Sequence, residues 1–280
     1  MKKLSDWFVK MTMRILQRLL TLVLYVIVLA AGPRPYANAQ SIIQTEQPDG
    51  TLRRLHAPIL MYHYVSELPP DADNLRRGLT VTPQQLRQHL EFMRSRHYAG
   101  VSLYEIYLAL SQGHQLPPNP VAITFDDGYF DHLTNVLPAL RDTGFIGTFF
   151  IITEYADNLR PGYLTWDQVN QIAAAGMEIA SHSKTHVDLQ TANHDSLVYE
   201  ILGSIESIQA NIGSTANIFA YPMGRYDDRT LDMLRQNRIK AAVTTAHAAT
   251  HTTDGLLELA RLRVQNTTGV PGLEVLLKEK

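Results

Sequence analysis

The sequence predicts an α/β fold in which helices wind a parallel sheet, and three observations support it. Short apolar runs recur at 58–62, 121–125, 147–152, 177–181, 217–221 and 240–244. Segments of helical period lie between them, at 82–95, 104–112, 130–143, 166–175, 195–212 and 228–236. A strand followed by a helix and another strand returns the chain to the same end of the sheet, which makes neighbouring strands parallel. Finally, 280 residues with 45% hydrophobic content can bury one large core, and an α/β barrel of this size needs no second domain.

The first 39 residues stand apart from this pattern. Lys2, Lys3, Lys10, Arg14 and Arg18 precede an apolar stretch at 19–31, and Ala37-Asn38-Ala39 offers a small-residue cleavage site before Gln40. Thirteen apolar residues suit the core of a secretory leader better than a membrane span, which needs roughly 20. An uncleaved anchor is the alternative, favoured by the long basic lead. Either way the basic flank stays inside and the rest faces outward. The expected location is therefore extracytoplasmic, secreted or held at the outer face of the cytoplasmic membrane, with membrane contact through this segment only.

Composition narrows the chemistry. Cysteine is absent, so export brings no disulfide and cysteine-ligated zinc is excluded. Residues 1–39 hold six of the 25 Lys and Arg and one of the 27 Asp and Glu, which leaves 19 basic residues against 26 acidic ones. That acidic balance argues against a nucleic-acid partner and suits a neutral ligand better than a polyanion. Residues 40–57 are polar and aperiodic, with a turn signal at Gln47-Pro48-Asp49-Gly50, and read as a tether to a folded domain at 58–280. A monomer is expected.

Within that domain the first strand, 58–62, ends at His63. Thr82-Pro83 with Leu86, Leu90 and Met93 at helical spacing marks an N-capped amphipathic helix. The run at 121–125 stops abruptly at Asp126-Asp127-Gly128, and that at 177–181 stops at His182-Ser183-Lys184-Thr185-His186. His132, at the start of the helix between them, reads as a capping or surface residue. Trp166-Asp167 opens another helix, and the run at 217–221 ends at Tyr221-Pro222.

The strand ends carry the chemistry, because in a parallel barrel all such positions gather at one rim. Adjacent acids point differently, so one can grip a cation while the other faces a water. Histidines four apart share one side of a turn or tight loop, as a common metal ion requires. Each piece also has a plainer reading. Asp-Asp-Gly after a strand is a common turn, and a spaced histidine pair is often a polar surface feature. The two together supply three ligands of suitable type and a spare carboxylate.

Thr124-Phe125-Asp126-Asp127-Gly128 and His182-Ser183-x-x-His186 resemble the first two motifs of the polysaccharide deacetylases, carbohydrate esterase family 4 or the NodB-homology group. The resemblance runs from about Pro58 to Val264. It implies a distorted, incomplete (β/α) barrel of roughly seven strands. It further implies that Asp126 is the general base and that Asp127, His182 and His186 hold a divalent metal, usually zinc, with cobalt, nickel and iron as alternatives. The activity implied is metal-dependent removal of N-acetyl groups from an N-acetylglucosamine-containing polysaccharide. An O-acetyl esterase on another polysaccharide and an inactive glycan-binding module are the alternatives.

Pro58-Ile59-Leu60-Met61-Tyr62-His63-Tyr64-Val65 resembles the opening strand of the circularly permuted branch, which acts on poly-N-acetylglucosamine. Ordinary members take their general acid from a late Leu-x-His motif, but Leu259-Ala260-Arg261-Leu262-Arg263-Val264 has no histidine. In the permuted branch the acid comes from the first strand, so the resemblance gives that role to His63; a packed strand histidine is the alternative. Phe219-Ala220-Tyr221-Pro222-Met223-Gly224 is similar to the family's Arg-x-Pro-Tyr-Gly segment, with Ala220 where the family has the Arg that orients the catalytic Asp. Met223 would supply a backbone N–H to the oxyanion. Tyr221 and Pro222 are candidate substrate contacts or wall packing. Trp166, in Leu164-Thr165-Trp166-Asp167, resembles a groove-lining residue or a helix-entry packing residue.

Overall fold

The structure, a computed structural model, describes residues 48–279. The leader expected at 1–39 and the tether positions 40–47 lie outside the described residues. Among the described residues no helix is long and apolar enough to cross a membrane.

The first half of the fold contains β1 (Arg54–His56), β2 (Ile59–Tyr62), β3 (Tyr64–Val65), α1 (Asn74–Gly78), β4 (Thr80–Val81), α2 (Pro83–Ser95), β5 (Ala99–Gly100), α3 (Leu103–Gln112) and β6 (Pro120–Phe125). A π-helical turn (His132–Val136) then runs into α4 (Leu137–Thr143), followed by β7 (Thr148–Ile151), α5 (Thr153–Asp157), α6 (Trp166–Ala174) and β8 (Glu178–Ser181). The remainder is α7 (His194–Ile212), β9 (Ile218–Ala220), α8 (Asp228–Gln236), β10 (Ala241–Val243), β11 (Thr250–Thr252), β12 (Leu262–Arg263) and α9 (Val270–Leu277).

Seven strands form a curled parallel half-barrel in the order β10-β9-β8-β7-β6-β2-β12, and β5 pairs with the start of β6. All four residues of β2 and of β7 are buried, as expected for strands covered on both faces. The period of two is visible in how they pack. Leu60, Ile123 and Phe125 share a core cluster with Leu86, Leu90 and Met93 of α2, whereas Ile59, Ala122 and Phe150 face the other way and join α3. Thr82, Ser102 and Thr165 each accept the N3 backbone N–H while the N3 side chain returns to the cap, so three helices begin where local sequence dictates.

The lead-in to β12 spans the edges of this sheet. Leu259 N–H donates to the Ala242 carbonyl at 2.9 Å and Arg261 N–H to the Ala246 carbonyl at 2.8 Å, after which Leu262 and Arg263 pair with Leu60 and Met61 of β2. Arg261 is thereby carried into the concave side.

Two expectations need correction. Residues 48–57 are not a free tether: Asp49 N–H donates to the Ser111 carbonyl, β1 pairs antiparallel with β11, and Ala57 is fully buried. The segment docks because Leu55 and Ala57 pack with the cluster around α3, an apolar contact too sparse to show as a period. The helix expected at 130–143 begins with a π turn. There His132 is buried, with Nε2 against the His63 carbonyl at 2.8 Å, instead of capping or facing solvent.

Candidate active site

Asp126, Asp127, His182, His186 and His63 line one cavity of about 280 Å³ at the carboxyl ends of β2, β6 and β8. Strand ends place them there, but local backbone aims them. Asp127, Ser183, His186 and Met223 all have left-handed φ, at 77°, 64°, 65° and 56°. Non-glycine residues in this region store strain, and strain of this kind concentrates at functional sites because surrounding structure must impose it.

Asp127 Oδ1 stands 3.4 Å from His182 Nε2 and 3.5 Å from His186 Nε2. All three ligand atoms lie within 4.8 Å of one another. Ligands of a tetrahedral ion bound at ~2.0–2.1 Å stand about 3.3 Å apart, so the spacing and the donor types fit a divalent metal such as zinc. His182 Nδ1 donates to the Ala220 carbonyl at 2.9 Å, which fixes the tautomer that leaves Nε2 free to bind. Burial opposes ionisation of Asp127, but the neighbouring imidazoles of His182, His63 and His186 hold its carboxyl well below the usual range. A ligand must be deprotonated, and this one is.

Asp126 is held by a group the sequence did not reveal. Arg261 Nη1 and Nη2 donate to its two oxygens at 2.6 and 2.8 Å. The same guanidinium donates to Thr124 Oγ1 and to the Thr244 carbonyl. The fork is fully buried, with Arg261 1% and Asp126 2% exposed. Burial raises the Asp126 pKa, yet Arg261, His182 and His63 outweigh it and bring it down to about 2. Asp126 is therefore ionised and oriented, with lone pairs to spare beyond the two occupied by Arg261. The substitution at Ala220, which removes the expected arginine from β9, is compensated from the lead-in to β12. Arg261 belongs to the late strand that lacks the family's histidine, and the only hint of its role in the sequence is a basic residue alternating with apolar ones.

His63 follows β2, with Nε2 3.8 Å from Asp126 Oδ2 and Nδ1 buried without a partner among the described residues. Burial pushes its imidazole down to about 4, against the upward pull of Asp126 and Asp127. The Met223 backbone sits in the 3-10 turn Pro222–Gly224 at the cavity edge, and its side chain is half exposed.

Three expected substrate contacts are not offered by the structure. Tyr221 borders the cavity but is fully buried: its hydroxyl donates to the Leu257 carbonyl at 2.8 Å and its ring stacks on Tyr226 at 4.3 Å, so no face is left for a sugar. Pro222 is likewise buried. Trp166 does not line the cavity; its indole N–H donates to Asp157 at 2.9 Å while the ring packs on the core, as a helix-entry residue does. The cavity instead has apolar Leu75 at its mouth, from a helix the periodicity did not reveal, and Arg263 on its wall.

Comparison with known proteins agrees with this geometry. Residues 113–242 match the family model described as polysaccharide deacetylase. The Bacillus subtilis (strain 168) protein YxkH is 28% identical over 222 residues, 79% of this chain and 74% of the relative. The Escherichia coli (strain K12) poly-beta-1,6-N-acetyl-D-glucosamine N-deacetylase is 28% identical over 154 residues, 50% of this chain but 22% of that protein. Among solved structures, the Streptococcus pyogenes deacetylase PplD in complex with acetate superposes with a TM-score of 0.75 at 28% identity, over 81% of this chain and 100% of its own. With its parallel half-barrel and its paired acids and histidines at one rim, the chain is similar to the polysaccharide deacetylases, a family of hydrolases.

Proposed function

We propose that this protein removes N-acetyl groups from an N-acetylglucosamine polymer outside the cytoplasmic membrane, releasing acetate. One observation carries the reading: an ionised, Arg261-clamped Asp126 lies in the same cavity as a three-ligand cluster of metal-binding type. The substrate class is supported by the relatives, since the Escherichia coli protein is an N-deacetylase of such a polymer. Reading residues 1–39 as a leader or anchor supports the location.

Asp127, His182 and His186 would hold the divalent ion. When bound, such an ion supplies Lewis-acid polarisation of an acyl oxygen and makes a water acidic enough to react near neutral pH. Asp126 takes a proton from the attacking water; Arg261 keeps that carboxylate charged and fixed in orientation. The Met223 N–H faces the developing oxyanion, a type of donor worth about two to three powers of ten in rate. His63, kept neutral by burial in the free protein, relays the proton taken from water to the departing amine, which could not leave as an amide anion. Its Nε2 neighbours Asp126, so the proton removed from water and the proton delivered are handled by adjacent atoms.

The arginine on Asp126 also weakens the case for an inactive binding module, which rested on losing that residue at Ala220. The test is acetate release by metal-loaded protein from poly-N-acetylglucosamine, chitin oligomers and peptidoglycan side by side, with an O-acetylated glycan as the contrast. Release from an amide-linked substrate is expected; release from the ester-linked glycan alone would replace this reading with an esterase.

A further inference from the structure

The loop that carries His182 and His186 is held in a shape its own residues disfavour. Ser183 and His186 both have left-handed φ, and neither is glycine. Such a loop keeps its shape only if its backbone groups are held from outside. On one side, Thr153 and Glu154, opening α5, donate N–H groups to the Ser183 and Lys184 carbonyls at 3.3 and 2.9 Å. Within the loop, His186 N–H donates to Ser183 Oγ at 3.0 Å and Ser183 N–H to Ser181 Oγ at 3.2 Å.

The remaining two amides converge on one carboxylate from α7. Glu200 Oε2 accepts Lys184 N–H at 3.1 Å and Thr185 N–H at 2.9 Å, while Oε1 accepts the Thr185 hydroxyl. Glu200 is 3% exposed, and all three of these partners lie between the two histidines. A glutamate is rarely buried unless its oxygens are used, and among the described residues both oxygens of Glu200 are used by this loop.

We propose that Glu200 is a positioning residue for the metal centre: by gripping the Lys184 and Thr185 amides between His182 and His186, it fixes the separation and aim of their imidazoles. The inference rests on the reading that Asp127, His182 and His186 hold a divalent ion. Without Glu200 the loop can relax toward ordinary φ, and ligands preset at 3.4 and 3.5 Å from Asp127 must be brought there at the expense of binding. Glutamine at this position can keep the grip, its one oxygen accepting both amides while its NH2 donates to the Thr185 hydroxyl, so only an apolar side chain such as leucine removes the contact.

The experiment is a titration of metal-free protein with zinc against a chromophoric chelator, comparing wild type with Asp127→Ala, Glu200→Leu, Glu200→Gln and Glu200→Asp. Thermal unfolding of each metal-free protein is measured alongside. Glu200→Leu is expected to weaken zinc binding by about 10- to 100-fold, the range for groups that orient metal ligands. Glu200→Gln, whose oxygen can still accept both amides, should restore most of the affinity. Zinc affinity within twofold of wild type in Glu200→Leu would overturn the proposal, even if its melting temperature fell, because that result describes a purely structural acid. If Glu200→Leu does not fold, Glu200→Asp decides, because its carboxylate is drawn back from the amides by one methylene: weakened affinity supports the role of Glu200, and unchanged affinity removes it. Equal affinity of wild type and Asp127→Ala would instead defeat the metal-site reading itself.

Discussion

Replacing Arg261 by methionine tests the interaction that defines this site. Asp126 accepts both guanidinium N–H groups, at 2.6 and 2.8 Å, with neither residue more than 2% exposed. Removing one member of a buried ion pair costs about 3–5 kcal/mol, because the other charge is left without water or partner. For a unit of this size that corresponds to a fall of roughly 10 °C in melting temperature. Asp126 can recover part of the loss by taking up a proton, and this fixes the sign of the catalytic effect. Arg261 holds the carboxyl at about 2 against burial; without it burial prevails and the pKa rises. The acid limb of kcat/KM should therefore move to higher pH, and activity at a fixed acidic pH should fall.

Asp126→Asn removes the charge that makes Arg261→Met costly, so the double mutant should be more stable than the two single losses predict, by about 2–3 kcal/mol of coupling. Urea unfolding of the four metal-free proteins measures that coupling directly. Additivity within about 0.5 kcal/mol, or a wild-type acid limb in Arg261→Met, would refute the assignment of Arg261 as the group that charges and orients the base.

Asp126→Asn alone should keep metal and oligosaccharide binding while acetate release collapses, checked by chelator titration and an acetate assay on the same preparation. His63→Ala should lower turnover with zinc still bound; loss of zinc would make His63 a ligand instead. Tyr221→Phe removes a buried hydroxyl from the Leu257 carbonyl and should cost about 1 kcal/mol in unfolding with KM unchanged, since the ring offers no sugar face. Stability should also fall on the acid side for a reason remote from the site. His251 is buried with Nε2 on the Ala57 carbonyl, and burial pushes it down to about 4 from 6.5; His89 is lowered in the same way. Their neutral forms fit the fold, so stability is full above pH 6.5 and is lost as pH falls toward 4, by up to roughly 3 kcal/mol for His251. Unfolding midpoints that stay flat between pH 7 and 4.5 would contradict this.

Much of the fold follows from local chemistry. The capping boxes at Thr82 and Thr165, the apolar runs ending at His63, Asp126 and His182, and the four-residue histidine spacing are all interactions within a few positions, so composition and period expose them. These local signals alone lead to the winding of the sheet and to the gathering of the acids and histidines at one rim. What only the tertiary structure decided depends on segments far apart in sequence. Arg261 reaches Asp126 across 135 positions because the lead-in to β12 spans the sheet edges. Glu200 grips the metal loop from a separate helix, and Tyr221 turns inward because Leu257 offers its hydroxyl a carbonyl. No spacing rule encodes such contacts: a buried charge or hydroxyl takes whichever partner the packed chain brings within about 3 Å, and leaving it without one costs more than any local preference.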